Sequence, residues 1–333
     1  MRVVEIREPF GVDALVFAER EDPTPGPGQV LVQMRACALN YRDLLIVNGT
    51  WRPPTPRIPG SDGVGRVVAT GPGVSRVAVG DRVAAIFYPK WLEGDVAPEK
   101  LASPPGGVAA DGLLAEYTRL DGTALVQVPH HLSDEEAATL PTASVTAWHG
   151  VVVEGRLEPG GSVVVLGTGG VSLFALQFAH RLGARVIVTS SSDRKLERAT
   201  ELGAAAVVNY RTSADWPAAV AELTGGRGAD LVVDTVGALD ASITAVRVGG
   251  VVSFIGFLGG SSAQLDLVAL MRKSARVQAI DVGSRRMFEA MNEAIRVHRL
   301  RPVLDQAFEF SEAPAAFRRL AQARPFGKVT VRF

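Results

Sequence analysis

The sequence predicts an α/β protein in which a doubly wound parallel sheet accompanies a β-rich region. Three observations carry this reading. From about residue 134, wholly apolar strand-like runs alternate with amphipathic helical ones, the pattern of a parallel sheet covered on both faces. A glycine cluster, Gly167, Gly169 and Gly170, sits where one such strand gives way to a helix. The first 125 or so residues instead carry short β-segments between Pro/Gly/Asp-rich turns, and the chain ends in a strand with no partner nearby in sequence.

In order, "QVLVQMRACALN", "VGRVVATG" and "VGDRVAAIF" read as strands of the β-rich part. The stretch "SDEEAATLPTASVTAWHGVV" opens a helix, with Ser133 as N-cap and acids in the first turn. Then follow "SVVVLG" (strand), "VSLFALQFAHRLG" (helix), "RVIVTS" (strand), "DRKLERATELG" (helix), "AAVVNY" (strand), "DWPAAVAELTG" (helix), "ADLVVDTVG" (strand), "LDASITAVRVGG" (helix) and "VVSFIGF" (strand). Two more helices, "RMFEAMNEAIRVHRL" and "SEAPAAFRRLAQ", flank a short strand before the terminal "GKVTVRF", which is expected to return to the first sheet.

Composition narrows the function classes. The 333 residues hold 47% hydrophobic and 21% charged side chains, enough for two cores. Lys plus Arg equals Asp plus Glu at 35 each, so no bulk charge draws the chain to nucleic acid or a membrane surface. No run of about 18 apolar residues occurs and the N-terminus lacks an apolar leader core, so a cytoplasmic location is expected. The single cysteine, Cys37, excludes an intrachain disulfide and a CxxC zinc cluster.

The glycine turn points to a dinucleotide. Gly167 permits the tight turn, Gly169 and Gly170 let a pyrophosphate approach the helix N-terminus, and Ser172 stands where a third glycine usually packs. Gly167, Thr168, Gly169, Gly170 and Val171 form the predicted cofactor turn. The next strand ends in "TSSSDRK" rather than in Asp or Glu. Ser190 and Ser191, with Arg194 and Lys195 close by, suit a 2′-phosphate and favour NADPH over NADH. Contacts to the nicotinamide are expected from "VDTVG" and "IGFLGG" at strand carboxyl ends: Val236, Gly256, Phe257 and Leu258.

Together these features resemble the medium-chain dehydrogenase/reductase superfamily. The resemblance runs through "PGPGQVLVQMRACALNYRDLLIVNG", "IPGSDGVGRVVATGPGVSRVAVGDRVAA", "EEAATLPTASVTAWHGV", the glycine turn, "VVDTVG", "GGVVSFIGFLGG" and "FGKVTV". It implies a discontinuous GroES-like catalytic domain, 1–143 with 283–333, and a Rossmann domain inserted at 144–282. It also implies a homodimer, with the strand near "ARVQAIDV" as an edge, and places Lys328 near the cofactor, although that lysine reads equally as an exposed strand start. In zinc-dependent members the catalytic ligands would fall at Asn40, Ser61 and Thr142; an amide and two hydroxyls are poor zinc ligands. The four-cysteine structural zinc lobe is also missing. The resemblance is therefore to the zinc-independent branch, which includes quinone oxidoreductases and enoyl reductases. That branch keeps an Asn at the position of Asn40 and binds the 2′-phosphate through residues matching Lys195 and Tyr210.

Without a metal, hydrogen bonds must stabilise the charge that hydride transfer places on an acceptor oxygen. Asn40 and Tyr41 are the expected donors, with the hydroxyl of Thr142 or Thr146 beside them, and either Tyr41 or solvent as the proton source. Asp43 is expected to orient Arg42 or cap the following helix. Trp51, Phe87 and Tyr88 are candidates to line an apolar cleft. The resulting expectation is an NADPH-dependent, zinc-independent reductase of a small-molecule quinone or α,β-unsaturated carbonyl. The alternatives are a metal-free NADP-dependent alcohol dehydrogenase or carbonyl reductase, or an NADPH-binding protein with a mainly non-catalytic role.

Overall fold

The computed structural model describes residues 1–333, whose strands sort into two large sheets and one small antiparallel pair. The small pair, β1 (Arg2–Ile6) and β2 (Leu15–Glu19), lies in the charged N-terminal segment, where the sequence reading placed no element. By backbone contacts the chain divides into two units, Met1–Val145 with Gly283–Phe333, and Thr146–Val282.

In the first unit, β3 (Gln29–Ala38) is the central strand. Its side chains alternate between buried and partly exposed until Ala36, Cys37 and Ala38, which are all buried. After it come α1 (Tyr41–Val47), β4 (Asp62–Thr70), β5 (Arg82–Ala85), β6 (Tyr117–Asp121), β7 (Leu125–Gln127) and α2 (Asp134–Ala138). Ser133 caps α2 as expected, accepting from the Glu136 amide while the Glu136 carboxylate accepts from the Ser133 amide. A wider, π-helical turn, Leu140–Ser144, follows.

The Rossmann unit then begins along α3 (Val145–Trp148). It alternates β8 (Ser162–Leu166), α4 (Gly170–Arg181), β9 (Arg185–Ser190), α5 (Asp193–Glu201), β10 (Ala206–Asn209), α6 (Trp216–Leu223), β11 (Ala229–Asp234), α7 (Leu239–Ala245), β12 (Val246–Phe254), α8 (Leu267–Lys273) and β13 (Arg276–Ala279). All six strands are parallel, in the order β10-β9-β8-β11-β12-β13. The order reverses between β8 and β11, the switch point at which doubly wound sheets bind ligands. The core here is built from Val164, Ile187, Val232 and Val252 on the strands with Val220 and Ile243 from the helices. Two details differ from the sequence reading. "VRVGG" belongs to β12 rather than to the preceding helix, because pairing with β11 and the β-branched Val246 and Val248 override the short helical pattern. The helix α8 was not anticipated.

The C-terminal segment, α9 (Arg285–Val297), β14 (Leu304–Glu309), α10 (Ala313–Ala321) and β15 (Lys328–Arg332), belongs to the first unit. There β15 pairs antiparallel with β3, so the terminal strand returns to the first sheet as expected. The sheet order is β14-β15-β3-β4-β5-β7, with β6 also paired to β3. Its core joins Val30, Val32 and Leu125 to Phe317, Val329 and Val331 from the other end of the chain.

Candidate active site

Strand register assembles a polar cluster at one end of the first sheet. Thr330 of β15 lies opposite Ala38 of β3, so the antiparallel pairing brings Lys328 beside Asn40. Asp62, the first residue of β4, lies opposite the same Ala38. The π-helical turn then adds Thr142, 80 residues further along. No two of these side chains are neighbours in sequence, yet they form one network.

Asn40 is its hub. Its amide nitrogen donates to Ser61 Oγ (3.1 Å) and Asp62 Oδ2 (2.9 Å), and its carbonyl oxygen accepts from Lys328 Nζ (2.5 Å). Lys328 also donates to the Leu39 carbonyl at 2.7 Å. The Thr142 hydroxyl donates to Asp62 Oδ1 at 2.6 Å. Asp43 Oδ2 accepts from the backbone N–H of Asn40 (2.8 Å) and the Ser61 hydroxyl (3.1 Å), while Oδ1 lies 3.6 Å from Arg42. Asp43 therefore does both jobs expected of it, capping α1 and pairing with Arg42. Arg42 itself stacks over the Phe87 ring.

Burial makes these charges consequential. Asp43 and Asp62 are fully buried and Lys328 is 4% exposed. Desolvation pushes the Asp62 carboxyl up to about 6, against the opposing pull of Lys328 and its hydrogen bonds from Asn40 and Thr142. Asp43 is also raised by burial, and Lys328 is lowered by it. The Lys328 ammonium is a buried cation of a site with two carboxylates, not the exposed strand-start lysine that its sequence context allowed. Tyr41, by contrast, is largely exposed at the first turn of α1.

Zinc chemistry fits this donor set poorly. Both hydrogens of the Asn40 amide and the hydroxyl hydrogens of Ser61 and Thr142 are committed to neighbouring acceptors, and an ammonium sits against the same amide oxygen. The buried Cys37 thiol points to the Leu113 carbonyl, with its pKa well raised by desolvation. No group of three or more His, Cys, Asp or Glu side chains is placed to hold a metal ion. In the loop where relatives of the resembled family carry a cysteine lobe, the Lys100 ammonium instead donates to the carbonyls of Glu93 (2.9 Å) and Asp95 (2.7 Å).

The second unit carries the glycine turn at its switch point. Gly167 adopts φ +77°, a left-handed conformation that glycine permits. Gly169 precedes α4 with open space where a Cβ would lie, and no side chain caps that helix. The free first-turn amides of a twelve-residue helix, reached across glycine, suit a pyrophosphate. Ser172 is buried, and its hydroxyl donates to the Leu166 carbonyl (2.8 Å) and meets Thr235 Oγ1 at 3.2 Å. Thr235 Oγ1 also donates to Leu166 O at 2.7 Å. Ser172 thus does more than fill a glycine's place: it ties the end of β8 to the end of β11.

Beyond β11, the buried Asp234 accepts from the amides of Val236 (3.0 Å), Gly237 (2.8 Å) and Ala238 (3.3 Å) and from the Ser242 hydroxyl (2.9 Å). This fan fixes the turn that carries Val236. Gly256 runs so close to it that a Cβ would stand 2.0 Å from the Thr235 carbonyl. Phe257 and Leu258, just after, are exposed. At the adenosine end, Ser190 is buried and pairs in register with Asn209, its carbonyl accepting from the Tyr210 amide at 3.1 Å. Ser191 and Lys195 are half-buried and Tyr210 is 44% exposed.

The structure gathers Asn40, Thr142 and Lys328 in the first unit, and Gly167, Thr168, Gly169, Gly170, Val171, Val236 and Gly256 around the switch point of the second. Thr146 lies buried in the second unit. Phe87 and Tyr88 are buried against one another, whereas Trp51 is exposed. Sequence reasoning gave Asp62 no role, and named the segment that holds Asp234 and Thr235 without a part for either side chain. For the two acids the available signal was a lone carboxylate inside an otherwise apolar or glycine-rich strand, which is buried only when something pairs with it.

Comparisons with known proteins agree with this architecture. Residues 26–130 match the alcohol dehydrogenase GroES-like domain and residues 170–296 the zinc-binding dehydrogenase family. The chain is 39% identical to a zinc-type alcohol dehydrogenase-like protein of Schizosaccharomyces pombe, over all of this chain and 99% of that one. Among solved structures, an NAD-dependent alcohol dehydrogenase superposes with a TM-score of 0.91 at 35% identity, covering both chains completely. A mycobacterial quinone oxidoreductase does so with 0.84 at 26%, again over the whole of each chain. No helix is long and apolar enough to cross a membrane. With a GroES-like sheet, a 3-2-1-4-5-6 nucleotide-binding sheet and full-length relatives of this kind, the chain belongs to the medium-chain dehydrogenase/reductase superfamily, as an NAD(P)-dependent oxidoreductase of the zinc-type alcohol dehydrogenase-like group.

Proposed function

We propose that this chain is an NADPH-dependent, zinc-independent reductase of small quinones or α,β-unsaturated carbonyls. The observation that carries the reading is the Asn40–Asp62–Thr142–Lys328 network, in which an ammonium and committed hydrogen bonds engage the side chains at two of the family's metal-ligand positions, Asn40 and Thr142. The similarity to a quinone oxidoreductase supports the acceptor class, and the serine-rich end of β9 with Lys195 and Tyr210 supports the 2′-phosphate.

When bound, NADPH supplies the hydride. Conjugated acceptors need less polarisation than simple ketones, because the charge that arrives is delocalised onto an oxygen that a few hydrogen bonds can stabilise. Asn40 acts here as a positioning residue, since both of its amide hydrogens go to Ser61 and Asp62. The hydroxyls of Thr142 and Tyr41 are the donors assigned to the acceptor oxygen in this reading. Thr142 gives its hydrogen to Asp62 while that carboxylate is ionised; once protonated, Asp62 donates instead, and the Thr142 hydrogen turns to the acceptor.

The test is NADPH oxidation by chelator-treated protein across a panel of quinones, enones and matching saturated ketones. Turnover of quinones or enones that zinc neither restores nor increases is the expected result. Activity that appears only with added zinc, or a preference for NADH, would overturn the proposal. The 35% identity to an NAD-dependent alcohol dehydrogenase favours a second reading, metal-free alcohol or carbonyl oxidoreduction, and the saturated ketones separate the two. Tight NADPH binding without turnover of any acceptor would identify a non-catalytic role. A homodimer through the edge strand β13 belongs to the same reading, flanked by the exposed Leu267, Val268 and Met271 of α8. Mass photometry of the purified chain checks it.

A further inference from the structure

The turn from β9 into the next helix ends on one carboxylate, and it is held by a residue of the neighbouring strand. Asp193 opens α5, two residues after Ser191. An acid near the end of this strand is what a pocket for an unphosphorylated ribose uses, and it opposes a 2′-phosphate by like charge. Asn209 closes β10 directly beside Ser190 in the sheet register. Its amide nitrogen donates to Asp193 Oδ1 at 2.7 Å, and its carbonyl oxygen accepts from the Arg211 amide at 3.0 Å. The Asp193 carboxylate is thereby fixed at the positive end of α5, where the helix dipole stabilises its charge. The hydroxyls of Ser190 and Ser191, the cations of Arg194 and Lys195 and the phenol of Tyr210 then set the chemistry of the pocket.

From this geometry we infer that Asn209 is a specificity-determining positioning residue, which by tethering Asp193 lets the pocket accept a 2′-phosphate. The inference rests on the NADPH reading above. Without the tether, Asp193 is free to swing along the same loop toward the ribose. There it accepts hydrogen bonds from a 2′-hydroxyl and repels a phosphate.

The experiment is titration of the full chain with NADPH and with NADH by calorimetry, in the wild type, Asn209→Ala, Asp193→Asn and the double variant. Asn209→Ala is expected to weaken NADPH about 5- to 10-fold and to leave NADH within about 2-fold. In the double variant NADPH affinity returns to within about 2-fold of wild type, because the freed carboxylate is gone. Asp193→Asn alone keeps the wild-type preference. Equal weakening of both cofactors by Asn209→Ala, or no recovery in the double variant, would mean that Asn209 merely shapes the turn before Tyr210, and would overturn the inference. An unchanged NADPH affinity in Asn209→Ala would overturn it as well. The wild-type titrations judge the parent reading separately: tighter NADH binding there refutes NADPH preference, while the change in the ratio between variants still decides the role of Asn209.

Discussion

Replacing Asp62 with an asparagine should change how stability depends on pH, because burial raises the pKa of its carboxyl. The Asp62 carboxyl is fully buried and titrates at about 6 in the fold, against 3.8 for the ordinary group. The folded state therefore holds a proton that the unfolded chain has released, and stability falls as pH rises through that window. The total loss is about 3 kcal/mol, of which about 2 kcal/mol falls between roughly pH 4.5 and 7.5. The charged groups that face Asp62 are Lys328, which pulls its pKa down, and Asp43, which pushes it up. An amide in its place carries no such proton. Urea unfolding of wild type and Asp62→Asn at a series of pH values should show two diverging curves, the variant gaining about 2 kcal/mol on the wild type across that range. Absolute stabilities can differ at every pH, since the substituted amide must also rearrange its bonds to Asn40 and Thr142; the difference in slope is the readout. Parallel curves would refute the reasoning, because they would place the Asp62 titration at its ordinary value in the fold.

Asp230 should behave in the opposite sense. It accepts hydrogen bonds from Arg227, Arg247 and Ser162, which hold its pKa well below the ordinary 3.8 against the cost of burial, so its contribution is full above 3.8 and is lost progressively as pH falls from there through the depressed folded value. Asp230→Asn should be less stable than wild type at neutral pH, with the gap starting to narrow only as pH falls below about 4. Gly256→Ala should destabilise the chain by at least about 2 kcal/mol in chemical denaturation, because the new Cβ would lie 2.0 Å from a backbone oxygen rather than from a side chain able to move. Ser172→Ala should cost about 1 kcal/mol, a modest loss because Leu166 O keeps its bond from Thr235; a loss of about 3 kcal/mol or more would mean that the tie between β8 and β11 is worth more than its hydrogen bonds.

What could be read from the sequence is what local physics decides. The parallel sheet was legible because buried strands and amphipathic helices differ in period, and the turn at Gly167 because its φ of +77° asks for glycine. Ser133 announced its helix, since a cap acts within one turn. The β1–β2 pair went unread because charges interrupt its short apolar runs, and Glu5 is buried only where Arg7 and Arg20 pair with it. The first residues of β12 went unread because pairing with β11 outweighed their own propensity. In the site, the sequence named Asn40, Thr142 and Lys328 separately and assigned Asn40 as a donor to the acceptor oxygen. Only strand register, placing β15 and β4 on either side of β3, brought Lys328 and Asp62 to the same amide and used up its hydrogens. Residue chemistry and turn geometry are written in neighbouring positions, whereas the charge balance of a buried site depends on groups far apart in the chain that desolvation forces to compensate one another.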